Sequence, residues 1–306
     1  MKNMRRRGIV VYLLPLLAAS LTAVFFLSCA GLAQAVATAG QATGILNEKQ
    51  AEAIAKTGVA WEKAYEEITP EQEYYIGRAV AANILAAYKL QNNTPALVSY
   101  VNRICNALVI NTPRPDIFSG YHVSILDTDE INAFATPGGH ILITRGLIKC
   151  AVSEDTLAAV IAHEVAHIQL QHGLMAIKDS RQTQAKMELL NAGATLLTNK
   201  ELDEITGVFG VGVKDIVNSL MNGYSQKQEF DADSTALAFL ELAGYEPSSL
   251  IDMLKVLERN QSGRPGGFNS THPTPAKRIE NAQKTLSNYS VPDTRSYREA
   301  RYRAAM

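Results

Sequence analysis

Ser153-Glu154-Asp155-Thr156-Leu157-Ala158-Ala159-Val160-Ile161-Ala162-His163-Glu164-Val165-Ala166-His167-Ile168-Gln169-Leu170-Gln171-His172-Gly173 is the stretch on which the reading of this chain turns. Ser153 followed by two acids is a helix start signal and Gly173 a stop signal, which predicts a helix across Leu157–His172. Inside it, His163 and His167 stand four apart. That spacing puts both imidazoles on one face, one turn apart, where they can hold a single Zn²⁺. Glu164 is rotated about 100° from His163, too far round for a comfortable third ligand but near the open position of such an ion, where a general base belongs. Taken alone, the five residues could equally be a solvated helix face or a chance match.

A catalytic zinc needs a third protein ligand and one position left for water. The metzincin solution wants Gly at 170 and His at 173, but the chain has Leu170 and Gly173. The other common solution takes a glutamate from a later helix. Four residues on, an aspartate accepts the far-ring N–H of a ligand histidine. Glu229 and Asp233, in Gln228-Glu229-Phe230-Asp231-Ala232-Asp233, have that one-face spacing, while Asp231 points elsewhere.

Working outward, Thr69-Pro70-Glu71-Gln72 combines a cap, a proline at the first helical position and a glutamine three after the cap, predicting a helix from Pro70 to about Leu90. Thr94-Pro95 repeats the device for a helix to about Ile110. The period then changes: Tyr121–Leu126, Asn132–Thr136 and His140–Thr144 read as short strands, the last two parted by Pro137-Gly138-Gly139. Residues 181–222 mix apolar and charged positions without the uncharged run of about 18 that a membrane span needs, so further helices are expected there. A helix from about Ser225 to Leu242 closes at Gly244, a loop follows at Gly263, Gly266 and Gly267, and Thr274-Pro275 opens the last clear helix. The expected fold is α+β and mainly helical, with a small sheet beside the zinc helix and a peptide groove between them. A single catalytic domain is expected over 48–290, followed by a polar tail over 291–306. His122, His140 and His172 fit no ligand spacing; His172, five past His167, falls off its face, so all three are expected to be structural.

The chain has 306 residues, 47% hydrophobic and 19% charged, enough for one large or two small domains, and excludes disorder and collagen-like repeats. Lys+Arg 29 against Asp+Glu 30 leaves no global basic field, so nucleic acid is not an expected partner. Charge is nevertheless unevenly placed: Lys2, Arg5, Arg6 and Arg7 open the chain and nothing from Gly8 to Asn47 is charged. A basic start followed by the apolar run Gly8–Leu27 reads as an export signal over 1–28. Phe26-Leu27-Ser28-Cys29 is like the box cut before a lipid-bearing cysteine. Ala33-Gln34-Ala35 offers an ordinary cleavage site instead, and an uncleaved anchor is the third option. Residues 29–47, small and polar, are expected to be a flexible tether. In an oxidising compartment Cys105 and Cys150 could pair; two buried free thiols are the alternative. No C-x-x-C exists, which excludes cysteine-based metal or redox chemistry.

Four segments, in order, carry a resemblance: Ile131-Asn132-Ala133-Phe134-Ala135-Thr136-Pro137-Gly138-Gly139-His140, the zinc helix, Glu229 to Asp233, and Thr271-His272-Pro273 with Arg278. Over about residues 70–285 the chain resembles the gluzincin metallopeptidases of the family that includes the heat-shock protease HtpX, the type I CAAX prenyl protease and exported bacterial relatives. It lacks the spans of the integral-membrane members and the helical repeats of some exported ones, and so resembles a minimal exported version. The resemblance implies peptide-bond hydrolysis with one Zn²⁺ on His163, His167 and Glu229, Asp233 behind them and Glu164 as the base. It further implies that His272 and Arg278 stabilise the oxyanion, or that His272 fills the open zinc position at rest; a surface histidine and an exposed helical arginine are the plain alternative. Asn132 and Ala133, on a sheet edge, would grip an extended substrate, unless Asn132 only fixes a turn. The implied partners are unfolded or misassembled envelope polypeptides, met in the periplasm by a chain held to the membrane through Cys29 lipid or an anchor, as in an outer-membrane lipoprotein. An alternative from another class is a zinc-stabilised chaperone or assembly factor that binds clients without cutting, and a third is a helical scaffold with an accidental motif. No oligomeric state is implied.

Overall fold

A computed structural model describes residues 28–198, 216–218, 220, 222–261, 272 and 275–306. The chain divides into two compact units, one of residues 1–67 with 178–208, the other of 68–177 with 209–306.

In the first unit, α1 (Cys29–Ala42) and α2 (Glu48–Tyr65) form an antiparallel-type pair joined by a short turn. The tether expected over 29–47 is therefore a helix for most of its length. Its small residues include many alanines, the best helix formers, and the Ser28 side chain accepts the Gly31 N–H at the helix start. Asn47 and Gln50 close a reciprocal cap on α2. A Cβ at Gly58 would stand 2.3 Å from the Ala33 Cβ, so the missing side chain is what lets the two helices touch.

The second unit holds α3 (Pro70–Ala87), α4 (Pro95–Val109), β1 (His122–Leu126), β2 (Ala133–Thr136), β3 (His140–Thr144), α5 (Arg145–Cys150), α6 (Glu154–Gln169), the first turns of α7 (His172–Thr198), α8 (Gln226–Leu242), α9 (Ser249–Gln261), α10 (Pro275–Leu286) and α11 (Arg295–Ala305). The sheet order is β1-β3-β2, with β1 parallel to β3 and β2 antiparallel to it, Ala133 opposite Ile143. β2 is thus an edge strand. The predicted caps form: Thr69 with Gln72 on α3, Ser153 with Thr156 on α6, and Ser225 with Gln228 on α8. α6 is buried from Glu154 to Ile168 and packs against α8, α9, α4, β2 and α11. Leu157, Ile161 and Val165 along it are fully buried, each contributing roughly 1.5–3 kcal/mol of hydrophobic stabilisation.

Three boundaries differ from the sequence expectation. α3 stops at Ala87, because Leu90 leaves the helix to bridge Leu126. α6 stops at Gln169 and does not reach His172: Leu170 caps it, Gln171 takes φ +56°, and α7 starts afresh at His172. Gly173 lies inside α7 and is small for a packing reason, since a Cβ there would stand 3.0 Å from the Pro137 ring. The polar tail expected from 291 is helix α11, drawn in by two buried acids of the first turn of α6. Arg298 Nε donates to Asp155 at 3.0 Å and its NH1 to the Gly244 carbonyl at 2.9 Å; Arg301 pairs with Glu154.

Cys105 and Cys150 are not joined by a disulfide in the structure; Cys105 is a buried core thiol whose pKa burial pushes up to about 12. Among the described residues no helix is long and apolar enough to cross a membrane. All but the last residue of the export signal expected over 1–28, the loop with Gly263, Gly266 and Gly267, and the stretch from 199 to 215 lie outside the described residues.

Candidate metal centre

α6 supplies His163 and His167 one turn apart, as their spacing requires, and α8 crosses it to bring Glu229 against both. The two Nε2 atoms are 3.1 Å apart, and each lies 3.5 Å from one Glu229 oxygen. His272 completes the group, with Nδ1 2.8 Å from both Glu229 oxygens. Donor atoms of these four residues lie within 4.8 Å of one another, and all four side chains are buried.

Behind the cluster stands a charged frame. Asp233, one turn after Glu229, has Oδ1 3.0 Å from His163 Nδ1. Arg278 from α10 holds Asp233 with both arms of its fork, Nε to Oδ2 at 2.8 Å and NH2 to Oδ1 at 2.6 Å, and its NH1 is 3.4 Å from Glu229. Of the two sequence expectations for Arg278, the exposed helical arginine is overturned: the side chain is fully buried, with NH2 3.2 Å from His163 Nδ1 and 3.3 Å from His163 Nε2. Two carboxylates on one helix turn, both out of water, need a permanent cation, and Arg278 is that cation. Burial alone would raise the Asp233 and Glu229 carboxyls, but the Arg278 charge brings Asp233 down to about 2. His272 and Arg278 hold Glu229 well below the ordinary carboxylate range. Burial and Arg278 both oppose a proton on His163, yet its bonds to Asp233 and Glu229 carry it up to about 9, whereas burial takes His167 down to about 3.

Whether these residues fit a metal can be tested on their own geometry. Two donors of a tetrahedral Zn²⁺ at about 2.0–2.1 Å are roughly 3.3 Å apart. The separations of 3.1 and 3.5 Å bracket that value. Glu164 Oε1 is buried without a hydrogen-bond partner, an orphan that a water held at the centre would satisfy. Burial also raises the Glu164 carboxyl above its ordinary range. The donor set fits zinc.

The other expected residues fall in mixed places. Asn132 is buried; its Oδ1 accepts the Ala133 N–H at 2.9 Å and its Nδ2 donates to Glu130 at 3.3 Å, while its backbone carbonyl pairs with Thr144. The side chain thus shapes the start of β2, and the edge of β2 away from β3 has no strand beside it among the described residues. Cys29 is exposed at the first position of α1. His122 and His140 lie apart from the cluster, on β1 and at the start of β3. His172 does not: its Nδ1 is 2.8 Å from His167 Nδ1. The helical-wheel reading missed it because the chain breaks at Gln171, so the angle accumulated along α6 says nothing about residue 172. Tyr224 was missed as well; its ring stacks on His167 at 4.4 Å with an 18° tilt. Nothing in the sequence marks the break at Gln171, so no sequence signal pointed to His172.

Among known proteins, the profile of Peptidase family M48 matches residues 95–286. The beta-barrel assembly-enhancing protease of Escherichia coli K12 is 28% identical over 193 residues, covering 62% of this chain and 39% of that protein. The mitochondrial metalloendopeptidase OMA1 of Schizosaccharomyces pombe is 29% identical over 194 residues, 63% of this chain and 54% of its own length. The metalloprotease LoiP of Escherichia coli K12 is 27% identical over 199 residues, 63% of this chain and 73% of its own. The match therefore spans about two fifths of the length of the first of these relatives.

Proposed function

Since this chain belongs to peptidase family M48, we propose that it is a zinc-dependent metalloendopeptidase of the gluzincin type, held at the cell envelope and acting on unfolded or misassembled envelope polypeptides. The observation that carries the reading is the meeting of His163, His167 and Glu229 around one point, with the unpartnered carboxyl of Glu164 beside it. His163, His167 and Glu229 would hold the ion, and zinc, when bound, supplies Lewis acidity, lowering the pKa of water and polarising a scissile carbonyl. Glu164 takes a proton from the attacking water and delivers it to the leaving amine; a carboxyl lifted by burial is better matched to both transfers than an exposed one. At rest His272 is engaged with the Glu229 carboxylate, and once displaced from it its ring N–H can meet the developing oxyanion. Arg278 acts from behind, keeping Asp233 ionised and His163 oriented. The edge of β2 around Asn132 and Ala133 would pair with an extended substrate backbone. The relative named as a beta-barrel assembly-enhancing protease supports an envelope role, and the basic start of the chain followed by the apolar, uncharged run from Gly8 to Leu27 supports export with Cys29 as lipid carrier.

Glu164→Gln tests the catalytic reading. The variant should keep zinc, measured by elemental analysis, and lose cleavage of a casein-like substrate by at least about 100-fold, the usual worth of a general base. Undiminished client protection by the variant, with no cleavage by the wild type, would favour the chaperone alternative.

A further inference from the structure

We infer that His172 is a positioning residue for the metal site: it accepts the Nδ1–H of His167 and so fixes the tautomer that turns the Nε2 lone pair of His167 toward the ion. The inference rests on the metallopeptidase reading of the cluster.

The hydrogen count leaves little choice. Two Nδ1 atoms 2.8 Å apart share one proton, because two lone pairs or two N–H groups would repel at that distance. His167 Nε2 faces the cluster, 3.1 Å from His163 Nε2 and 3.5 Å from Glu229. A ligand nitrogen is bare, so the His167 proton is on Nδ1 and that atom is the donor. His172 Nδ1 is then the acceptor, and the hydrogen of His172 is on its own Nε2. Water cannot stand in for it, since His172 is buried. Tyr224, stacked on the His167 ring, prevents the ring from turning over to exchange its two nitrogens.

The two ligand histidines are thus supported unequally, His163 by the carboxylate of Asp233 and His167 by an imidazole. The local backbone serves the same contact. Gln171 adopts a left-handed conformation that a residue with a side chain seldom takes, and its amide reaches toward the buried carboxylate of Glu73 at 3.4 Å. Without that break, residue 172 would continue round α6 and away from His167.

The test uses the full chain and zinc itself. His172→Leu fills the volume without an acceptor, and His172→Asn carries an oxygen where Nδ1 was. Zinc affinity, read by competition with a chromophoric chelator, should fall about 10- to 100-fold in the leucine variant and recover most of that loss in the asparagine variant. Metal-free thermal melts of the two variants should coincide, which separates the acceptor from general packing. In the zinc-loaded wild type, ¹⁵N-histidine NMR should report His172 as the Nε2–H tautomer and His167 as the Nδ1–H tautomer, a readout that stands even if the leucine variant does not fold. An Nδ1–H tautomer at His172, unchanged zinc affinity in the leucine variant, or equal loss in both variants overturns the role of His172 alone. A folded wild type that takes up no zinc overturns the metal reading and this inference with it.

Discussion

Replacing Arg298 by alanine should loosen the zinc helix from a position remote from the ion. The Arg298 and Asp155 side chains are only 7% and 6% exposed, Nε to Oδ2 is 3.0 Å, and NH1 also satisfies the Gly244 carbonyl at 2.9 Å. Breaking a buried ion pair by removing one partner costs about 3–5 kcal/mol. Part of that is recovered, because Asp155 keeps the Glu246 N–H at 2.9 Å and sits in the first turn of a helix, where a negative charge is favoured by about 0.3–1 kcal/mol. The net loss should be about 2–4 kcal/mol. Because the chain has two compact units, a single melting point would blend them, and native-state hydrogen exchange is the better assay. Core amides of α6 should exchange roughly 30- to 700-fold faster in the variant, the same free energy written as a ratio at about 1.4 kcal/mol per tenfold. In a double-mutant cycle with Asp155→Ala, the two substitutions should be strongly non-additive. Acceleration confined to α11, with α6 unchanged within about threefold, would refute the idea that the C-terminal helix restrains the catalytic one.

Other outcomes follow from the same geometry. Asp233→Asn should weaken zinc binding about 10- to 100-fold in a chelator titration, because His163 loses its ionic acceptor while Arg278 loses its partner. Gly77→Ala should destabilise the second unit by about 3 kcal/mol or more in urea melts, since the added Cβ would stand 1.6 Å from the Pro137 carbonyl oxygen and two backbones would have to part; a wild-type midpoint would count against this packing. With its thiol held up to about 12, Cys105 contributes stability that is fully present below the unfolded-state value near 8.5–9 and is lost as pH rises from there through about 12. Between pH 9 and 11, Cys105→Ala should therefore remove about 1.4 kcal/mol per pH unit from the alkaline decline in unfolding free energy, and an unchanged slope would show that the thiol does not titrate in that window.

What could be read before the structure was whatever depends on local periodicity. The four-residue spacing of His163 and His167, the same spacing of Glu229 and Asp233, and the change to period two around Ala133–Thr136 are properties of single elements, and those elements form. What escaped depends on partners far away in sequence. Nothing around Arg295–Ala305 announces that Arg298 and Arg301 will meet Asp155 and Glu154, so a helical clamp read as a tail. Arg278 was identifiable as a site residue but its grip on Asp233 was not, because only the tertiary structure shows that Asp233 would otherwise be a buried, uncompensated charge. His172 escaped for a different reason: one left-handed residue, Gln171, resets the angular count on which helical reasoning depends. The run of small residues after Cys29 looked like a linker by composition, although alanine-rich composition is also that of a good helix.

The bidentate grip of Arg278 on Asp233 has a consequence for how the cofactor is acquired. Pockets rich in acids tend to spring apart when vacant, whereas here a resident, non-titrating countercharge holds the walls together beforehand. Loading then becomes an exchange of a divalent ion for protons within a finished mould, quite unlike small zinc domains that assemble only around their metal. Chelation should accordingly yield a folded, dormant chain that regains its competence on resupply, without any need to refold.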